Sequence, residues 1–310
     1  MVHHLLGPPR GASRVVKKSS FGRGLFLWAV VVPAVFWGIW NLLSRTNPVY
    51  MSERSLWSAE VLARRVSNDP SAMPPLVFTR TFDRLKQVIV RYPGTESAAK
   101  AQFMIGEVYA ARKEYPAARK EFERVVSGYP GQTKQVIVAY RAIALTYQKE
   151  KDWARAAETY RTLLKRYPLN LSVQNVPVQI IELSRRYLSQ NADHAVQEAV
   201  AHYKELIRQA PPRGMLAFAA HQFLAGCYLQ KAEWRETVQE LETLIMAYPQ
   251  RREVVIWLKM AEGIYSQHLK EPDRMQDLAG RFAQKYPQRR QLVAPWLKAS
   301  SVSAIPASKP

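Results

Sequence analysis

The sequence predicts an all-α protein, with an N-terminal single transmembrane helix followed by a superhelical solenoid of paired helices. Three observations predict it. Ala, Leu, Glu, Lys, Arg and Gln fill the middle of the chain while glycine is sparse, 13 among 310 residues, a balance that favours helix. Residues 24–43, GLFLWAVVVPAVFWGIWNLL, run for 20 positions without a charge. Proline returns behind tyrosine at a spacing close to 38 residues.

The N-terminal element comes first. Residues 1–23 hold Arg10, Arg14, Lys17, Lys18 and Arg23 and no acid. The uncharged run that follows has the roughly 20 apolar residues a helix needs to cross a bilayer. Trp28, Trp37 and Trp40 stand towards its ends, where indole rings favour the interface, and Pro33 is tolerated in a membrane helix. A cleaved signal peptide would have a shorter apolar core, about 7–15 residues, and an A-x-A site, so a retained anchor is favoured. A basic organelle presequence ranks second, because Pro8, Pro9 and Gly11 spoil an amphipathic helix. No cysteine lies near the span, which excludes a lipoprotein-type anchor. The charge bias places residues 1–23 in the cytoplasm and the remainder across an inner (cytoplasmic) membrane, in a periplasmic or other extracytoplasmic space.

The solenoid is read from its punctuation. Tyr-Pro pairs end at Pro93, Pro130, Pro168, Pro249 and Pro287, and Ala210-Pro211 fills the gap. The successive proline spacings are 37, 38, 43, 38 and 38, a period that signals stacked supersecondary units. Gly106, Ala144, Ser184 and Ala225 each precede a tyrosine (Tyr109, Tyr147, Tyr187, Tyr228) by three positions. Ala118, Ala156 and Ala199 precede Phe122, Tyr160 and Tyr203 by four, and Thr237 precedes Leu241 likewise. Small residues let two antiparallel helices approach, aromatics fill the space between units, and proline stops the second helix. The third unit carries three extra residues, and the fifth keeps Leu258 and Tyr265 but degrades afterwards. Ahead of the array, 55–66 and 76–93 read as an irregular leading helix pair joined by a loop at 67–75. The expected organisation is therefore a basic N-terminus (1–23), a membrane helix (24–43), a linker with an irregular helix (44–75), a solenoid of about five repeats (76–298) and a disordered tail (299–310).

The order W-x2-L-G-x2-Y, A-x3-F, P, met in part by four successive units, resembles the tetratricopeptide repeat (TPR) family over roughly residues 76–298. The Trp position is never Trp here. The YP-ended repeats behind a single anchor are similar to bacterial envelope TPR proteins. These include the Tol–Pal coordinator family, the TPR lipoprotein of the outer-membrane barrel-assembly machine, and anchored TPR partners of the secretion translocon. The missing lipoprotein cysteine argues against the barrel-assembly member. The resemblance implies a non-catalytic scaffold or assembly factor whose partners are other proteins of a membrane complex. It also implies a groove lined by the first helix of each pair. Carried onto this sequence, the family's groove positions are Lys100, Phe103, Glu107, Arg141, Gln148, Arg185, Gln222 and Lys259.

Charge offers a second surface. Five of the 45 basic residues lie in 1–23, so the rest of the chain still outweighs all 25 acids. YPQRR occurs twice, placing Arg251-Arg252 and Arg289-Arg290 just past a second helix. Two readings stay open. The arginines neighbour the negative end of a helix dipole at a repeated unit junction, or they face anionic lipid or an acidic envelope polymer. Nucleic acid is a weak option, because no nucleic-acid motif is present.

Nothing in the sequence reads as an enzyme, and no cofactor or metal is expected. His3, His4, His194, His202, His221 and His268 form no ligand spacing, and no phosphate-binding glycine loop or nucleophile elbow is present. Cys227, the one cysteine, reads as a small buried hydrophobe.

Overall fold

The computed structural model describes residues 31–39, 47–188 and 192–297, and among these all regular structure is helical. Residues 31–39 are helical with every residue exposed. The expected membrane helix at 24–43 lies largely outside the described residues, as do the N-terminal segment 1–23 and the tail 299–310. Among the described residues, no helix is long and apolar enough to cross a membrane.

The helices pair in chain order: α1 (Pro48–Asn68) with α2 (Pro75–Arg91), α3 (Glu96–Ala111) with α4 (Tyr115–Gly128), and α5 (Thr133–Lys149) with α6 (Trp153–Arg166). They continue as α7 (Val176–Tyr187) with α8 (Ala192–Gln209), α9 (Met215–Gln230) with α10 (Trp234–Ala247), and α11 (Val254–Gly263) with α12 (Pro272–Lys285). Each helix packs on the next, and α1 and α5 also reach α3 across the intervening helix, as in a TPR-like solenoid. The fully buried side chains Leu85, Leu163, Leu206, Leu244 and Leu258 recur along the stack, each contributing about 1.5–3 kcal/mol.

The repeat positions explain the packing. Gly106 is buried against the ring of Phe122, where any side chain would collide. Ala144, Ala156, Ala199 and Ala225 are buried, as are Phe122, Tyr160 and Tyr203. Tyr187 departs from its expected place between units. It is 43% exposed and stacks on Trp153 at 3.7 Å, because α7 has only 12 residues and ends there. The extra residues of the third unit go into α8, 18 residues long where α4, α6, α10 and α12 each have 14.

Turns and caps carry the period. Asn47 caps α1, its side-chain oxygen accepting from the Val49 amide at 2.9 Å; Thr95 and Asp152 cap α3 and α6 in the same way. Each tyrosine before a helix-ending proline leaves the α region, with φ of −131° at Tyr129 and −126° at Tyr248, as the following ring requires. Between the two helices of a pair the chain turns through a left-handed residue: Lys113, Lys151, Ala232 and Lys270 have φ of 63°, 62°, 56° and 59°. The carbonyls of Tyr109, Tyr147 and Tyr228 then accept from Glu114, Asp152 and Glu233, five residues on, the 6→1 bond of a Schellman cap.

The fifth unit keeps this closure with one residue more. Tyr265 accepts from Glu271, six residues on, and the surplus is absorbed where α11 passes into a π turn at Ile264–Leu269. Eight and twelve residues before Pro287 stand Ala279 and Met275, both buried. Large and small have exchanged places relative to Ala118 and Phe122, which is why the motif degrades in sequence while the helix pair forms. Behind α12, a 3-10 stretch Pro287–Trp296 buries Val293 against the last unit.

The stretch 44–75, read as a linker with an irregular helix, holds a regular one. α1 runs for 21 residues and buries Leu56, Ala59, Ala63 and Val66 in one cluster with α2 and α3. Its Ser52 hydroxyl meets that of Ser97 at 3.0 Å inside the core. α1 extends the helix expected at 55–66 to Pro48–Asn68, and that helix reads as irregular in sequence because it lacks the repeat's motif.

Candidate partner-binding groove

α5 presents two faces. Val136, Ala139 and Ile143 are buried, whereas Val138, Arg141, Ala142, Leu145 and Lys149 return at three- and four-residue steps along an open face. Leu145 is 51% exposed and Val138 42%, seven residues apart on one face. Two adjoining pockets follow this face.

The larger, of about 530 Å³, is lined by Phe103, Glu107 and Ala110 of α3, Phe122 of α4, and Val138, Arg141, Ala142 and Leu145 of α5. Its floor is apolar: the Phe103 and Phe122 rings meet at 5.0 Å. Its rim is polar. Arg141 donates to the Ser172 carbonyl at 2.6 Å and to the Asn175 side chain at 2.8 Å, which fixes it across the second unit junction. Glu107 keeps an accessible edge, yet the walls desolvate its carboxyl enough to hold its pKa above the usual carboxylate range, against the opposing Arg64 charge.

The second pocket, of about 390 Å³, shares Leu145, Lys149 and Tyr160 with the first and continues over Gln148, Trp153, Gln179, Glu182, Leu183, Arg186 and Tyr187. Gln148 donates to the Tyr160 hydroxyl at 3.2 Å, and burial raises that phenol's pKa. The side-chain oxygen of Gln179 is buried and has no partner. First helices of three consecutive pairs thus frame one continuous groove, apolar over α3 and α5 and more polar towards α7, with basic groups at Arg141, Lys149 and Arg186 and acids at Glu107 and Glu182.

Of the positions expected for a groove, Phe103, Glu107, Arg141 and Gln148 line these pockets. Lys100 sits outside them and pairs with Glu96 at 2.8 Å. Arg185 is exposed off the groove, and Arg186 lines it instead, on the α7 face shared by Gln179, Glu182 and Leu183. Gln222 is exposed on α9 and lines neither pocket. Lys259 borders a separate hollow of about 590 Å³ against Pro272, Pro295 and Trp296. Sequence reasoning missed Val138, Leu145 and Lys149. The available signal was a pair of large apolar residues seven apart on a helix whose buried face is already complete.

The paired arginines divide by position. Arg251 lies over the Phe218 ring at 4.3 Å and points to the Met215 sulfur, and Arg289 donates to the Pro249 carbonyl at 2.7 Å. The preceding tyrosines do the same work: Tyr286 donates to the Met246 carbonyl at 2.5 Å and Tyr248 to that of Gly214 at 3.3 Å. YPQRR is therefore a clasp that ties each unit to the one before. Arg252 stays exposed. Charged pairs between units add to the clasp, including Arg161 with Glu198 at 3.0 Å and Arg281 with Glu242 at 2.8 Å. Among the described residues, no group of three His, Cys, Asp or Glu side chains could hold a metal ion.

Residues 83–133 and 139–170 each match a family model described as tetratricopeptide repeat. These segments are tetratricopeptide repeats. The two matches run from the second half of α2 through α4, and from residue 139 of α5 through α6. No curated protein matches the chain. Among solved structures, it is similar to a putative kinesin light chain of Podosopora anserina with nearly identical TPR-like repeats, at 16% identity and a TM-score of 0.38, covering 67% of this chain and 99% of that one. It is also similar to BtubC (BKLC) from P. vanneervenii, at 12% identity and 0.40, covering 84% and 95%. A third is the TPR2AB-domain:pHSP90-complex of yeast Sti1, at 13% identity and 0.32, covering 79% and 98%.

Proposed function

We infer that this protein is a membrane-anchored TPR scaffold, and that it holds a partner polypeptide in the groove over α3, α5 and α7 as an accessory subunit or assembly factor of an inner-membrane or envelope complex. The observation that carries the reading is the open face of α5, where Val138 and Leu145 stand exposed above the Phe103–Phe122 floor. An extended or helical segment of a partner would cover them, and apolar burial would supply affinity while Arg141, Lys149 and Arg186 favour acidic flanks. The uncharged run at 24–43, led by five basic residues, supports an anchor with the N-terminus cytoplasmic and the repeats extracytoplasmic. Binding alone is the proposed role, without catalysis or cofactor.

The test is affinity purification of the full chain from mild-detergent membranes, at low and high salt, beside a Leu145→Asp variant. A defined set of membrane proteins that survives high salt and is lost with the variant supports the groove. Partners that dissolve in salt and ignore the variant would instead favour a basic surface such as Arg252 and its neighbours, with anionic lipid or polymer as the target.

A further inference from the structure

α1 exposes an apolar stripe that no repeat covers. Its inner face, Leu56, Ala59, Ala63 and Val66, is spent on the core. On the opposite face, Tyr50, Trp57 and Val61 fall within about 40° of one another at the helical repeat, and Trp57 is 68% exposed. Arg54 and Arg65 flank the stripe on one side. Glu53 and Arg64 flank it on the other, where Arg64 pairs with Glu60 at 2.6 Å. Amphipathic rings at the centre with guanidiniums beside them are the composition of a helix lying in a membrane interface.

Chain continuity says what covers the stripe. The uncharged run ends at residue 43 and α1 begins at Pro48. Four intervening residues span at most about 18 Å when extended. If the run crosses a bilayer, the start of α1 is held at the headgroup layer, with its aromatic stripe on the free side of the solenoid's first pair. We propose that Tyr50, Trp57 and Val61 of α1 lie in the interface of an anionic membrane, so that α1 rests flat on the bilayer and fixes the orientation of the groove above it. The inference rests on the anchor reading given above. Immersing two aromatic rings and a valine withdraws apolar surface from water, and Arg54 and Arg65 lie at headgroup depth.

The test uses the full chain reconstituted in phosphatidylcholine–phosphatidylglycerol vesicles. A nitroxide label is placed in separate proteins at Val61→Cys, at Phe36→Cys and, as a water-side reference, at Lys120→Cys, an exposed position of α4. Cys227 is 2% exposed and out of reach of the reagent. Circular dichroism checks that each variant folds. Collisions with oxygen, which concentrates in lipid, and with a water-soluble nickel chelate locate each label. The proposal expects the oxygen-to-nickel ratio at position 61 to exceed that at 120 several-fold. A ratio at 61 equal to that at 120 overturns it. If the label at 36 is then in lipid, the anchor stands and only this inference falls; if the label at 36 is in water, both fall. A label at 61 shielded from both reagents and broadened by a second label means another copy covers the stripe, which also overturns the proposal.

Discussion

Gly106 of α3 faces the ring of Phe122 on α4 so closely that a Cβ at position 106 would stand 2.7 Å from the ring's Cδ1. The ring is 2% exposed and meets Phe103 at 5.0 Å, so it must shift towards the pocket it floors to admit the methyl. Gly106→Ala should therefore destabilise the protein by about 1–3 kcal/mol through overpacking, even though alanine is the better helix former. Chemical denaturation measures it. Because Phe103 and Phe122 also floor the larger pocket, the same variant should weaken partner binding more than its stability loss alone explains.

The left-handed turn residues make the opposite kind of prediction. Ala232 holds a φ of 56° with a Cβ in the way. Ala232→Gly should stabilise by about 0.5–1 kcal/mol, the relieved strain exceeding glycine's entropy cost in the unfolded chain. A rise in melting temperature would register it, and a fall would contradict the Schellman reading of the turn.

One arginine from each of the two YPQRR junctions should separate from the other. Arg289→Ala removes the bond to the Pro249 carbonyl and should cost about 1–2 kcal/mol, reduced by partial solvent access. Arg252→Ala, on an exposed side chain, should stay within about 0.5 kcal/mol. Equal losses in denaturant melts would contradict the clasp.

Two groups set a pH dependence. Partial desolvation by the pocket walls raises the pKa of the otherwise exposed Glu107, so its contribution to stability is present at low pH and lost as pH rises through the folded value. Glu107→Gln should raise the melting temperature at neutral pH and leave it unchanged below about pH 4, where the unfolded carboxyl is protonated too. Burial lowers the pKa of His202, whose ring meets the Gln174 side chain at 2.9 Å. The unfolded state then takes up the proton first as pH falls through about 6.5, and stability drops. His202→Asn should lose less stability than the parent between pH 7 and pH 5.

Much of the fold was legible because the period repeats its physics. Pro130, Pro168 and Pro249 must end helices, and Ala118 and Ala156 must sit where helices touch. The fifth unit was legible as a unit, but its second half looked eroded because Met275 and Ala279 exchange sizes, which conserves volume but breaks the motif. α1 was legible as a helix over 55–66 but not over its full length, Pro48–Asn68, because it borrows the solenoid's core without using its motif. The groove was half legible. Family positions led to Phe103, Glu107, Arg141 and Gln148, but Arg185 fell one residue from Arg186, a rotation of about 100°. Val138 and Leu145 escaped, since an exposed apolar residue in a helix looks in sequence like one more core position.

The central claim is that a partner polypeptide lies against α5. The most direct measurement places a photo-crosslinking amino acid at Leu145 in the full chain in membranes, with a second protein carrying it at Gln222. The account predicts a discrete adduct from position 145, abolished by Arg141→Glu, and none from 222. Adducts from 222 with none from 145 would contradict it and move the binding surface off the groove.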